Sequence, residues 1–595
     1  MHSPSTVLDS VDPTPEVTPA RRSPRLGRLA VHAAWVALLA VGAVARVGRF
    51  GFNPTDQGFV LSLSHRLLDG QVPHRDIISP RPLGSAALHV VDLLLPGPLF
   101  AVSGFIVMVE IAVATIACAA LVTRTSPLAW NPLVTGLVAA ATLLNMNVFP
   151  LMAWHTIDGI MLTAVGWWAV DSGLRVGSTP RRLLGLALLG FAVMTKQSFM
   201  FAVPVGLLLV VAHPAARASA GPRERRWWGR LGIDLVALGL VPVGYFALVT
   251  VAGGLPAAIA QLTGGTGTWG DRFIDLWNTA GPRDTVLLAV VCALVGAVLT
   301  LVARARPWLP GIPASVIAAC ALYTVVDGGL AGAGNWAVTL TWLLVCAAVL
   351  HGAVHRALPW RPLLVALLAY MAALSWGYPS PTLMGGTLTL SVLAVAYDVL
   401  PRWSPAIPRR AATVVSAAVA AALVVGTGVA VADAHDRAPY ADQPQGALTV
   451  DLGSISPELR FVRTTPEVAR YVGQIKDCLD RHPAGQVAIL PDNPFAYPVF
   501  GLRSPFPMDW PLTLELVADA RDRMLTAATD LDARGDYLVL FQTVRAHDLT
   551  LGARAPESIA PTTPIAAYGP LEGQINARLT GARITCGSFH GVWAR

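Results

Sequence analysis

Charge is what this chain of 595 residues has least of: Asp, Glu, Lys and Arg make up 13% of it, against about 25% in ordinary soluble domains. That deficit excludes a soluble globular protein of this length. There is no Gly-rich nucleotide fingerprint and no metal-ligand spacing in residues 433–595, and no internal repeat. The stretch GGTGTWG lacks the Lys-Ser/Thr ending of a phosphate loop and reads as a connector or a substrate flap. The first apolar run lacks a cleavage site and is followed by charge, so it reads as a retained anchor. Cysteine is scarce. Cys118, Cys292, Cys320 and Cys346 lie in apolar runs and read as small core residues.

What is abundant is apolar: 54% of the residues are hydrophobic. Apolar runs recur to about residue 432, each near the length that crosses a bilayer, and about thirteen are expected to be transmembrane helices. The fold class is therefore a polytopic α-helical membrane protein. The net charge of +7 points to topology rather than to nucleic acid, because its arginines fall before the first run and in alternate loops. That alternation puts the N-terminus in the cytoplasm and, with an odd number of spans, residues 433–595 outside it. Residues 1–25, rich in Pro, Ser and Thr, are expected to form a disordered cytoplasmic tail. Residues 26–432 form the transmembrane domain, with a first extracytoplasmic loop at 47–97. In the tail, TPEVARYVGQIKDCLDRH and PLTLELVADARDRMLTAATDLDARG read as helices, and QVAILPD and DYLVLFQ as buried strands, giving a C-terminal extracytoplasmic α/β domain. Cys478 and Cys586 are the only cysteines there and are expected to form a disulfide.

An ionisable cluster between spans is expensive unless it faces water or a ligand, so the loop after the first run holds the leading functional residues. Phe59, Leu63 and Leu67 mark an apolar stripe over 57–69, expected to be an amphipathic helix on the outer membrane surface. Asp56 precedes it, either as an N-cap carboxylate worth about 1 kcal/mol or as a general base at the membrane boundary. Asp158 and His155, in Trp154-His-Thr-Ile-Asp-Gly159, face outward at the start of the fourth run. They serve helix-end electrostatics or bind an acceptor, a metal ion or a sugar hydroxyl. Lys196 and Gln197 lie in an outward turn, suited to a phosphate at headgroup depth or to snorkelling. Arg75 and Asp76 either pair with each other or, with Arg81, meet a phosphate. Asp327, Trp336, Trp376 and Tyr378 also face outward, the aromatics as belt residues or as a sugar platform.

Together these residues resemble the GT-C superfamily of integral membrane glycosyltransferases, in the branch of aminoarabinose transferases and protein O-mannosyltransferases. The likeness rests on Asp56-Gln-Gly58 followed by Arg66-Leu-Leu-Asp-Gly-Gln-Val-Pro-His-Arg-Asp76, on Asp158, on Thr195 to Gln197, and on the tail phrase VAILPDNPFAYPVFGLRSPFPMDWP. The resemblance implies sugar transfer from a polyprenyl-phosphate donor to a glycan, lipid or protein acceptor in the cell envelope. It places Asp56 at the family's catalytic acidic position. Many relatives carry a second acidic residue where this chain has Gln57, which leaves one carboxylate to act alone and a divalent cation as an open cofactor. The rival classes are a transporter or flippase, and a polymerase or ligase, for lipid-linked saccharides. A transporter would more naturally set its charges at mid-membrane.

Overall fold

Helices dominate the described residues up to Arg437, because a chain in hydrocarbon must satisfy its backbone groups within its own segments. The computed structural model describes residues 25–46, 48–146, 151–213, 224–264, 274–276, 278–279, 283–302, 308–330, 335–374, 380–400, 408–437 and 443–595. The expected tail at 1–24, most of the GGTGTWG stretch, and Trp376 and Tyr378 lie outside them. Among the described residues, seven helices are long and apolar enough to span a membrane: Leu99–Thr123, Trp227–Val251, Arg283–Val302, Gly311–Gly329, Trp336–His355, Thr382–Val399 and Arg409–Arg437. The expected count of thirteen is not reproduced. Two of the runs form helices of only 14 residues, Pro132–Asn145 and Trp360–Ala373. Each rises about 21 Å at 1.5 Å per residue, short of a hydrocarbon core of about 30 Å.

The helices Leu99–Thr123 and Trp336–His355 are central and packed around Val107, Trp167, Leu343 and Leu388. Trp227–Val251, Arg283–Val302 and Arg409–Arg437 stand at the periphery and leave Leu240, Val243, Val298 and Val425 exposed. Aliphatic side chains turned outward on such helices suit contact with acyl chains.

Residues 443–595 fold into a small α/β domain resting on one end of the bundle. Gln486–Leu490 pairs parallel with Tyr537–Gln542, which pairs antiparallel with Phe589–Ala594, and Ala582–Cys586 forms the outer strand. The helix Pro466–Arg481 starts at Thr465, whose hydroxyl accepts from Val468 N at 3.2 Å. Cys478, on that helix, is joined to Cys586 at the sheet edge. The second helix begins only at Ala520, so the preceding residues are free to turn Glu515 toward the bundle.

The first loop is clasped between the two parts. Its helix Phe59–Leu68 does not lie on the membrane surface. Its polar residues Ser62 and Arg66 bond to Asp509 of the C-terminal domain, the Arg66–Asp509 pair at 2.9 Å, and Arg66 also donates to Phe506 O. The apolar side packs Phe59 on Trp510, with ring centroids 5.1 Å apart. A buried Arg needs a partner, and the tail supplies one, so the surface expected to meet water is covered by protein.

Candidate functional site

The loop at Asn53–Gly58 is built by its own polar groups. Asn53 Oδ1 accepts from Thr55 N and Thr55 Oγ1 at 3.0 and 2.6 Å, and Asn53 N donates to Gln57 Oε1 at 3.1 Å. The helix that follows starts at Gly58, with φ of 102° and no side-chain cap. Asp56 is therefore not an N-cap. Its carboxylate accepts from Asn53 Nδ2 at 3.2 Å. Only glycine fits at 58, since a Cβ there would lie 2.5 Å from Phe495 Cα. That close approach holds Asp56 near the C-terminal domain. Burial pushes the Asp56 carboxyl up to about 6, and the charges of Asp492 and Glu515 push the same way. Asp492 is fully buried and accepts from Trp510 Nε1 at 3.0 Å, Gln542 Nε2 at 2.8 Å and Tyr568 OH at 3.1 Å.

Cationic groups stand close by. Arg81 pairs with Glu515 at 2.6 Å, and its guanidinium lies 6.0 Å from the Phe59 ring centre. Lys196 is only 7% exposed, yet its ammonium donates to a neutral group, Thr156 Oγ1, at 3.2 Å. Among the described residues no carboxylate lies within ion-pair distance of it. Burial, with the neighbouring Arg81 adding, pushes the Lys196 ammonium down to about 7. Gln197 donates to Pro80 O, tying this turn to the loop segment that carries Arg81. His155 is buried against Trp154, within electrostatic reach of both Arg81 and Lys196. The structure thus gathers Asp56, Arg81, His155, Lys196 and Gln197 from the first loop and two helix ends, and adds Asp492 and Glu515 from the tail.

Three expected residues sit elsewhere. Arg75 and Asp76 form an exposed pair at 2.8 Å, and Arg75 also donates to Ala252 O at 3.1 Å. The Arg75 guanidinium holds the Asp76 carboxyl below its usual range. The pair fastens the loop to the end of Trp227–Val251. Asp158 does not face outward: it is fully buried, bonded to Ser85 and, at 3.1 Å, to His89 Nε2. The short helices Gly84–Leu88 and Val90–Leu94 fold over the helix mouth and close it.

Sequence reasoning missed Asp492, Glu515, His89 and Glu110. Glu515 was hidden in a stretch read as helix. Glu110 had a signal: it is the one carboxylate within the apolar run Leu99–Thr123, where an ionisable group is costly. A cavity of about 900 Å³ opens between the helices Arg25–Arg46 and Arg409–Arg437, below Phe50 and Arg463, and is lined by neither Asp56 nor Lys196.

The seven apolar helices and the small domain seated on one end define the class, a polytopic helical membrane protein. No family model matches the chain, and no curated protein matches it. Among solved structures it is similar to the arabinosyltransferase EmbB from Mycobacterium smegmatis, known by single-particle cryo-EM, with 14% identity and a TM-score of 0.33. The match covers 72% of this chain and 43% of that one, so the chain spans less than half the length of that neighbour. At that level the chemistry has to be read from the residues themselves.

Proposed function

We propose that the chain is a membrane glycosyltransferase of the GT-C type, moving a sugar from a polyprenyl-phosphate donor to a hydroxyl of an envelope glycan, lipid or protein on the extracytoplasmic face. The observation that carries this reading is the pairing of opposites at one place. Among the described residues a buried ammonium with no carboxylate in ion-pair reach, Lys196, feels the charge of Arg81, and a carboxyl raised to about 6, Asp56, feels that of Glu515, the partner of Arg81. An uncompensated buried cation favours an anion, and a phosphate on a lipid carrier brings one to the bundle end. Lys196 and Arg81 hold that phosphate and stabilise the charge it gains as it leaves. Gln197 fixes the turn, and His155 fills the wall beside it.

Asp56 acts as the general base. The acceptor hydroxyl gives its proton to the carboxylate while its oxygen forms the bond to the anomeric carbon. The bond from that carbon to the phosphate oxygen breaks, and the phosphate leaves with the electron pair. A single displacement inverts the anomeric centre. Burial, with Asp492 and Glu515 adding, keeps the Asp56 carboxylate basic enough to accept the proton near neutrality. Asp158 acts from beneath, through the helix that carries Thr156, and Arg75 with Asp76 holds the loop in place. The test uses membranes carrying the full chain and a radiolabelled polyprenyl-phosphate sugar. Wild type incorporates label into acceptor and Asp56→Asn does not. Equal incorporation by that variant ends the assignment, and passage of lipid-linked saccharide across the bilayer without incorporation by wild type points to a transporter.

A further inference from the structure

Beneath the site lies a second polar cluster, made of His89, Asp92, Glu110 and Asp158, with exposures of 0, 1, 7 and 0%. One ligand atom each from His89, Glu110 and Asp158 lies within 4.8 Å of the others. His89 Nε2 is 3.1 Å from Asp158 Oδ1, and its Nδ1 is 2.9 Å from Asp92 Oδ2. Among the described residues no Lys or Arg is in ion-pair contact with any of the three carboxylates. Glu110 Oε2 and Asp92 Oδ1 are buried without a hydrogen-bond partner. Three carboxyls and one imidazole sealed from water, with two carboxyl oxygens left without a hydrogen-bond partner, make a donor set that the described residues do not satisfy.

We propose that His89 Nε2, Glu110 and Asp158 bind one divalent transition-metal cation of the zinc type. The donor set is one imidazole nitrogen and two carboxylate oxygens, which suits zinc and its neighbours better than magnesium or calcium, whose ligands are oxygens alone. Asp92 supports the ion from outside: by accepting from His89 Nδ1 it fixes the tautomer that turns Nε2 toward the carboxylates, the usual arrangement behind a metal-bound histidine. Ser85 bonds the other oxygen of Asp158 and leaves Oδ1 for the ion. The free Oε2 of Glu110 completes the set. The ligands come from the first loop and from the helices Leu99–Thr123 and His155–Val176, so the ion fastens the loop to the bundle. It also steadies Thr156, two residues from Asp158 and the partner of Lys196. This inference stands independently of sugar transfer.

The experiment uses the full chain without a polyhistidine tag, purified in detergent without chelator, and reads metal content by mass spectrometry. Wild type is expected to keep about one zinc-type ion per chain after dialysis, and stripped protein to melt higher as Zn²⁺ is added back. Glu110→Gln and Asp158→Asn, close in shape to the originals, lose both the ion and the Zn²⁺-dependent shift. Asp92→Asn retains the site but binds about 10- to 100-fold more weakly, a graded loss that a merely structural cluster would not give. Should the variants fail to fold, visible absorption of Co²⁺-loaded wild type reports whether nitrogen and oxygen ligands surround the ion. The proposal is overturned if wild type retains no ion and neither Zn²⁺ nor Co²⁺ moves its melting. It is equally overturned if Glu110→Gln melts higher with metal content unchanged, because two carboxyls sharing a proton would then account for the cluster.

Discussion

The helix His155–Val176 carries a buried polar cluster near each end, and the two are built on opposite plans. Near its C-terminus Asp171 is fully buried and over-supplied with partners. It accepts from Arg175 Nε at 2.7 Å, from Arg361 Nε and Nη2 at 2.9 and 2.7 Å, and lies 3.2 Å from His213 Nε2. Arg361 stacks on Trp360, 4.2 Å from the ring centre. One anion thereby ties three helices together. Near the N-terminus, among the described residues, the ammonium of Lys196 meets the hydroxyl of Thr156 and the Asp56 carboxylate meets the amide of Asn53, with no oppositely charged partner for either. The first plan answers its charge within the protein and makes a clamp. The second gives Lys196 and Asp56, among the described residues, one neutral side-chain partner each, the arrangement on which the proposed site rests.

That contrast can be broken most severely at Asp56. Asp56→Asn keeps the shape and the Asn53 contact but cannot accept a proton, so transfer should fall about 10²- to 10⁴-fold with melting unchanged. Asp171→Ala should do the reverse. It strands two guanidinium groups in a buried site, and loss of about 3–5 kcal/mol of stability should appear in thermal melting, with remaining folded protein still active. Next in size is Lys196→Met, which removes the unanswered cation. The KM for the polyprenyl-phosphate sugar should rise roughly tenfold to a hundredfold, as for a lost charged hydrogen bond of about 1.5–3 kcal/mol, while Met fills the same space. Gly58→Ala should destabilise by about 1–3 kcal/mol, because its Cβ meets Phe495 and its φ is left-handed. The smallest effect, and the sharpest comparison, is in pH. The proposed mechanism needs Asp56 unprotonated and Lys196 protonated, so kcat/KM should climb as pH passes about 6 and fall again above about 7. Lys196→Met should lose the upper limb and leave the lower one in place.

Some of this was legible residue by residue. The loop holding Asp56 stood out because charge between apolar runs is costly. Lys196 stood out as a lysine in a turn, and it is one of only two lysines in the chain. Thr465 announced its helix, and the strands at 486–490 and 537–542 were visible as short apolar runs bounded by Pro or Gly. The amphipathic pattern of 59–68 was equally visible, but not what would cover its polar side. Ser62 and Arg66 look like groups bound for water until Asp509 arrives from far along the chain. Asp158 likewise looked like an exposed helix start until Ser85 and His89 folded over it. Local periodicity reports which face of a helix is apolar, and has no access to what a distant segment sets against the other face.

Composition and hydropathy alone were enough for a helical chain bound to lipid, since runs this apolar can satisfy their backbone in hydrocarbon only by coiling on themselves. They were enough, too, to mark the ends of those helices as the places where charge collects. Which of those charges are answered was decided by the folded chain, which brings Glu515 to Arg81, Asp492 toward Asp56 and two guanidinium groups and an imidazole to Asp171, and among the described residues brings no carboxylate within ion-pair distance of Lys196. Ion pairing is set by a few ångströms of separation and by the exclusion of water, and neither quantity is written in the order of residues along a chain.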